Sequence, residues 1–113
     1  MDESEAEVET HSHGAPRTIG HARAAVVKAA RVFKSLGDEE RLTILALLSD
    51  GELCVTEIAD ATKSELSTVS QRLRLLRTEG LIARRRNGKH IYYDLADGHV
   101  RELVLNALAH ANE

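Results

Sequence analysis

The chain has 113 residues, 42% of them apolar and only three aromatic (Phe33, Tyr92 and Tyr93), so it can form one small domain whose core is built from Leu, Val, Ile and Ala and gains from dimerisation. No apolar run approaches the ~20 residues of a membrane span. The start lacks a basic-then-apolar leader pattern, and the lone Cys54 cannot form an intrachain disulfide, so a cytoplasmic protein with no membrane partner is expected. The formal charge of −3 is uneven: the first ten residues carry −5, which leaves +2 on the rest.

Residues 1–20 are acidic, then His- and Gly-bearing, with the only proline at Pro16. They lack apolar periodicity and are expected to form a disordered arm, with one folded domain over 21–113. Residues 22–35 place Ala, Val and Phe at helical spacing, and Gly37 breaks the run. Asp38 is a suitable N-cap for a helix over about 39–49, with Leu42, Leu45 and Leu48 as its apolar stripe and Asp50-Gly51 as its end. A short helix fits 55–62, with Val55, Ile58 and Ala59 inward, and a turn fits 63–65. The next helix, 66–79, has Leu66, Val69, Leu73 and Leu76 on one face and Ser67, Ser70, Gln71 and Arg74 on the other, before Gly80. Two short helices joined by a three-residue turn, the second polar and basic on its free face, make a helix-turn-helix.

Residues 81–86 and 89–95 are β-prone runs joined by Asn87-Gly88, a strong hairpin signal in which both turn positions take positive φ. This hairpin is a wing. Asp97 opens a last helix with Val100, Val104, Ala107, Leu108 and Ala111 on its apolar side. The expected order is α-α-α-α-β-β-α: a mainly α winged helix-turn-helix with a small β-hairpin.

From Arg72 to Lys89, seven Arg or Lys residues face Glu79 alone, a localised footprint for a polyanion. Arg74 is placed to reach guanine in the major groove, with Ser70 and Gln71 on base edges. Ser67 and Thr68, at a helix N-terminus, suit phosphate. Arg85, Arg86 and Lys89 in the wing suit phosphates or the minor groove.

The last seventeen residues contain Asp97, His99, His110 and Glu113, all metal-ligand types. His99 and His110 are eleven residues apart. On a helix they share a face but lie roughly 16 Å apart along the axis. One ion cannot bridge them within one chain, since zinc–nitrogen bonds are about 2.0–2.1 Å. Two such helices packed antiparallel about a twofold axis would bring Asp97 and His99 of one chain to His110 and Glu113 of the other, giving two sites per dimer. Imidazole and carboxylate ligands suit four-coordinate Zn(2+), with Co(2+) as a substitute. Such a closed site leaves no position for a reacting water, and no nucleophile–base set is visible, so an enzyme is not expected.

These features together resemble the ArsR/SmtB family of metal-responsive bacterial repressors. The resemblance covers about residues 22–113 and rests on ELCVTEIAD at 52–60, STVSQRLRLLRTEGLI at 67–82, the RRRNGKHIYY wing at 84–93 and the D-x-H-x10-H-x2-E terminal helix. It implies a homodimer that binds double-stranded operator DNA of imperfect palindromic sequence and whose grip is weakened by metal as effector. It also implies a candidate second, soft-metal site from Cys54, Glu57 and the arm residues His11 and His13; a thiol response through Cys54 is an alternative reading of the same DNA-binding dimer. The turn departs from the family pattern: Thr62-Lys63-Ser64-Glu65 stands where many members carry a Gly and an apolar residue.

Overall fold

The computed structural model describes residues 14–113. Of the expected arm, residues 14–20 form no helix or strand, and residues 1–13, His11 and His13 among them, lie outside the described part. Helix α1 (Arg23–Leu36) ends at Gly37, whose N–H bonds back to Phe33 and Lys34 carbonyls. Helix α2 (Glu39–Leu48) is capped as expected: an Asp38 carboxylate oxygen accepts from the Arg41 backbone N–H at 3.0 Å. Glu39 and Glu40 add negative charge to its first turn, where the helix dipole favours it.

A two-residue strand, β1 (Leu53–Cys54), follows, then α3 (Val55–Thr62) and α4 (Leu66–Thr78). The wing is β2 (Ile82–Asn87) and β3 (His90–Leu95), and α5 (Gly98–Ala111) closes the fold. The sheet order is β1-β3-β2, antiparallel throughout. The observed order is therefore α-α-β-α-α-β-β-α. The expected string lacks β1, which is too short to show a period and exists through its pairing with Tyr92 and Tyr93.

Two further expectations are corrected. The hairpin turn is Gly88-Lys89, because Asn87 pairs with His90. Only Gly88 has positive φ (65°), the pattern of a turn with Gly at its first central position. Leu66 is half exposed, because it opens α4 and stands beyond the packed part of the helix.

One core joins all the elements that carry the site. Ile44, Leu45 and Leu48 of α2 meet Ile58 of α3, Val69, Leu73 and Leu76 of α4, and Val104 of α5. Leu81, Ile82 and Leu95 root the wing in the same cluster. Each of these large side chains contributes about 1.5–3 kcal/mol on burial. The outer faces of α1 and α5 are different: Val26, Val27, Phe33 and Leu105 are exposed.

Candidate metal centre and nucleic-acid interface

The helix-turn-helix is closed by a strained residue. Lys63 ends α3 with φ 54° and ψ 42°, the left-handed region that glycine enters more easily. After this turn α4 runs with Val69, Leu73 and Leu76 buried in the core. Ser67, Ser70, Gln71 and Arg74 are exposed on the opposite side, and Thr68 is half-buried. Arg72 is drawn towards Glu40 at 3.8 Å and is no free cation. Helix α4 stops through Gly80 (φ 74°): the Gly80 N–H bonds the Arg77 carbonyl and the Leu81 N–H bonds the Leu76 carbonyl. This stop turns the chain directly into the wing.

The wing sorts its cations. Arg84, Arg86 and Lys89 are exposed, and among the described residues no carboxylate lies within ion-pair distance of them. Arg85 is different. Its Nε donates to Glu52 Oε1 at 2.9 Å and its Nη2 to Oε2 at 2.6 Å. Its guanidinium carbon stands 5.1 Å from the centre of the Tyr92 ring. The Arg85 hydrogen bonds hold the Glu52 carboxyl below the ordinary carboxylate range, and Glu52 in turn raises Arg85. Sequence reasoning missed Glu52, whose partner is 33 residues away and visible only through the sheet register.

The terminal quartet divides into two pairs. At the start of α5, His99 Nδ1 lies 3.8 Å from Asp97 Oδ1. At its end, His110 Nδ1 lies 3.7 Å from Glu113 Oε1. The histidine side chains are 96% and 86% exposed, so each pair is open to a partner. No group of three or more candidate ligands forms among the described residues of one chain. The donor set fits a borderline divalent cation, but each end of α5 offers only one imidazole and one carboxylate. Asp97 also caps its helix, accepting from the Val100 N–H at 3.0 Å.

Cys54 and Glu57 are brought together. Cys54 is the residue before α3, and its backbone N–H donates to Glu57 Oε1 at 2.9 Å. Its half-buried thiol lies 3.1 Å from the Thr56 hydroxyl. The Glu57 carboxyl is held below its ordinary value, first by the Cys54 backbone N–H, then by the thiol, and in part by nearby His90. The wing carries His90, the first residue of β3, towards Glu57.

Two helices joined by a tight turn at Lys63, an exposed polar face on the second and a basic wing make a winged helix-turn-helix, the fold class of DNA-binding regulators. Residues 38–84 match the model of the bacterial regulatory protein, arsR family. Over 85 residues, the chain is 45% identical to a Staphylococcus aureus cadmium resistance transcriptional regulatory protein CadC homolog, covering 74% of this chain and 70% of that one. Over 84 residues it is 42% identical to a Synechocystis transcriptional repressor SmtB homolog, covering 74% and 64% respectively. A homodimeric winged helix-turn-helix DNA-binding domain from Mycobacterium bovis superposes with a TM-score of 0.75 at 37% identity, over 85% of this chain and 92% of that one. The chain belongs to the arsR family of bacterial regulatory proteins.

Proposed function

We propose that this chain is a homodimeric, cytoplasmic, zinc-sensing transcriptional repressor. The observation that carries the reading is the division of the quartet into two exposed pairs at opposite ends of α5. Antiparallel pairing of two α5 helices completes both sets: Asp97 and His99 of one protomer with His110 and Glu113 of its partner. Two Zn(2+) per dimer would be held in this way, and Co(2+) would substitute. The exposed apolar residues on α1 and α5 support self-association, as does the homodimeric relative.

The dimer would present two α4 helices to successive major grooves of operator DNA, about 34–36 Å apart. Ser70, Gln71 and Arg74 would read bases, while Ser67, Thr68, Arg86 and Lys89 would hold phosphates. Zinc between the two α5 helices would fix their relative orientation and disfavour the spacing that fits DNA. By linkage, bound DNA weakens zinc binding by the same factor. A second reading, a soft-metal or thiol response through Cys54, is favoured by the contact between Cys54 and Glu57 and by the cadmium resistance named for the Staphylococcus relative.

Fluorescence anisotropy of a labelled duplex from the DNA upstream of its own gene tests both readings, with zinc, cobalt, nickel and cadmium titrated in parallel. Zinc should release DNA from the parent and not from His110→Ala. A response retained in His110→Ala and lost in Cys54→Ser would replace the first reading with the second.

A further inference from the structure

Successive strand residues point to opposite faces of the sheet. Ile82 and Leu95, paired and buried, mark the face that meets the core. Arg84 and Arg86 share the parity of Ile82, whereas Arg85 points to the outer face. There the cross-strand row runs Cys54, Tyr92, Arg85. Arg85 leans diagonally along this face to reach Glu52, the residue before β1, and rests against the Tyr92 ring. Asp94 is on the same face, 3.6 Å from Arg101 of α5.

We propose that Glu52 is an internal stand-in for a DNA phosphate, holding Arg85 in the DNA-free wing and lowering affinity until a phosphate displaces it. The argument is geometric. A carboxylate presents two oxygens to the guanidinium fork as a phosphate does, and Arg is suited to both. The Arg85 side chain is 54% exposed and that of Glu52 is 36% exposed, so a polyanion can reach the pair without unfolding the wing. An exposed pair of this kind is weak enough in water to exchange. Each phosphate contact withheld also withholds counterion release, so the pair reduces both affinity and salt sensitivity. Glu52 thereby acts as a positioning residue that tunes DNA binding without touching DNA.

The inference rests on the reading that this winged helix binds duplex DNA, and the experiment separates the two. The probe is a fluorescein-labelled mixed-sequence duplex, titrated over a salt series with the parent, Glu52→Gln, Glu52→Asp, Arg85→Ala and the Glu52→Gln/Arg85→Ala double variant. Glu52→Gln should tighten binding roughly threefold or more at low salt and steepen the log K against log salt slope by up to about 0.9. Glu52→Asp keeps the charge but shortens the reach, and should tighten binding to a lesser degree. In the Arg85→Ala background the Glu52→Gln effect should shrink to that of removing one surface charge. Equal effects in both backgrounds, or weaker binding in Glu52→Gln, would overturn the exchange while leaving DNA binding intact. A parent that binds no duplex even at low salt would overturn the DNA reading itself, and the exchange with it.

Discussion

The carboxylate of Asp97 accepts the backbone N–H of Val100 at 3.0 Å while the same oxygen faces His99 Nδ1 at 3.8 Å. One side chain thus starts α5 and lies beside a proposed metal ligand. The two roles separate by substitution. Asp97→Asn keeps a capping oxygen but loses the anionic ligand, so it should fold with near-parental stability and bind zinc poorly. Asp97→Ala should lose both, with a further cost of about 1 kcal/mol from the missing cap. Urea unfolding of the metal-free proteins beside a zinc titration checks this. Equal stability of the two variants would show that the cap contributes nothing.

Lys63 lies in the turn, residues 62–65, where the sequence departs from the family pattern, and it takes a left-handed conformation there. The fold keeps the left-handed turn and makes a β-carbon residue adopt it. Lys63→Gly should relieve the strain and be neutral or stabilising by up to about 1 kcal/mol, which is about 4–8 °C in Tm for a domain of this size. Lys63→Val, β-branched, should destabilise by more than about 1 kcal/mol. Calorimetry that ranks Val above Gly would contradict the left-handed assignment.

Glu57 gives a pH dependence with a definite sign. Its folded-state value is depressed, chiefly by the Cys54 backbone N–H. Its stabilising contribution is therefore complete above the ordinary glutamate value of about 4.3 and disappears as pH falls through the lower folded-state value. In metal-free protein, Glu57→Gln should flatten the acid limb of the stability curve by lowering stability at neutral pH towards the parent's acid value, because a neutral amide accepts the Cys54 N–H without the help of a charge. An acid limb as steep as the parent's would assign that limb to other carboxylates.

Much of this was legible in the sequence, for physical reasons. The limits of α3, 55–62, follow from its apolar spacing and the turn that ends it. The division of the quartet follows from helix geometry, since eleven residues of α5 cannot fold back on one ion. What was hidden depends on pairing between distant residues. β1 exists because Leu53 and Cys54 find Tyr93 and Tyr92. The turn sits one residue later than its Asn-Gly dipeptide suggests, because register with β3 decides it. Arg85 looks equivalent to Arg84 and Arg86 in the sequence, and only strand parity and Glu52 distinguish it.

The recognition face and the wing should differ in kind. Arg74→Ala should cost about 1–3 kcal/mol on the cognate duplex and relax sequence preference at one position per half-site. Arg86→Ala and Lys89→Ala should weaken cognate and mixed-sequence duplexes alike, each flattening the salt slope by at most about 0.9. Competition binding over a salt series measures both. A wing substitution that changes preference but not slope would place that residue on a base edge.

Mixing two defective proteins tests the intersubunit geometry most directly. His99→Ala and His110→Ala lie outside α4 and the wing, so each homodimer should still bind DNA. Each lacks one imidazole in both proposed sites, so zinc should no longer release the duplex. In a His99→Ala/His110→Ala heterodimer the losses fall together. One site keeps Asp97 and His99 from the second chain and His110 and Glu113 from the first, and the other site loses both histidines. The heterodimer should therefore regain one zinc per dimer and part of the release. With Co(2+), the regained site should show tetrahedral absorption without a strong thiolate charge-transfer band, because Cys54 takes no part in it. If both ligand pairs instead served sites within one chain, each mutant would be impaired independently and mixing would restore nothing. Zinc stoichiometry by equilibrium dialysis on tagged, purified heterodimer distinguishes the cases. A heterodimer that binds no more zinc than its parents would overturn the paired-helix site.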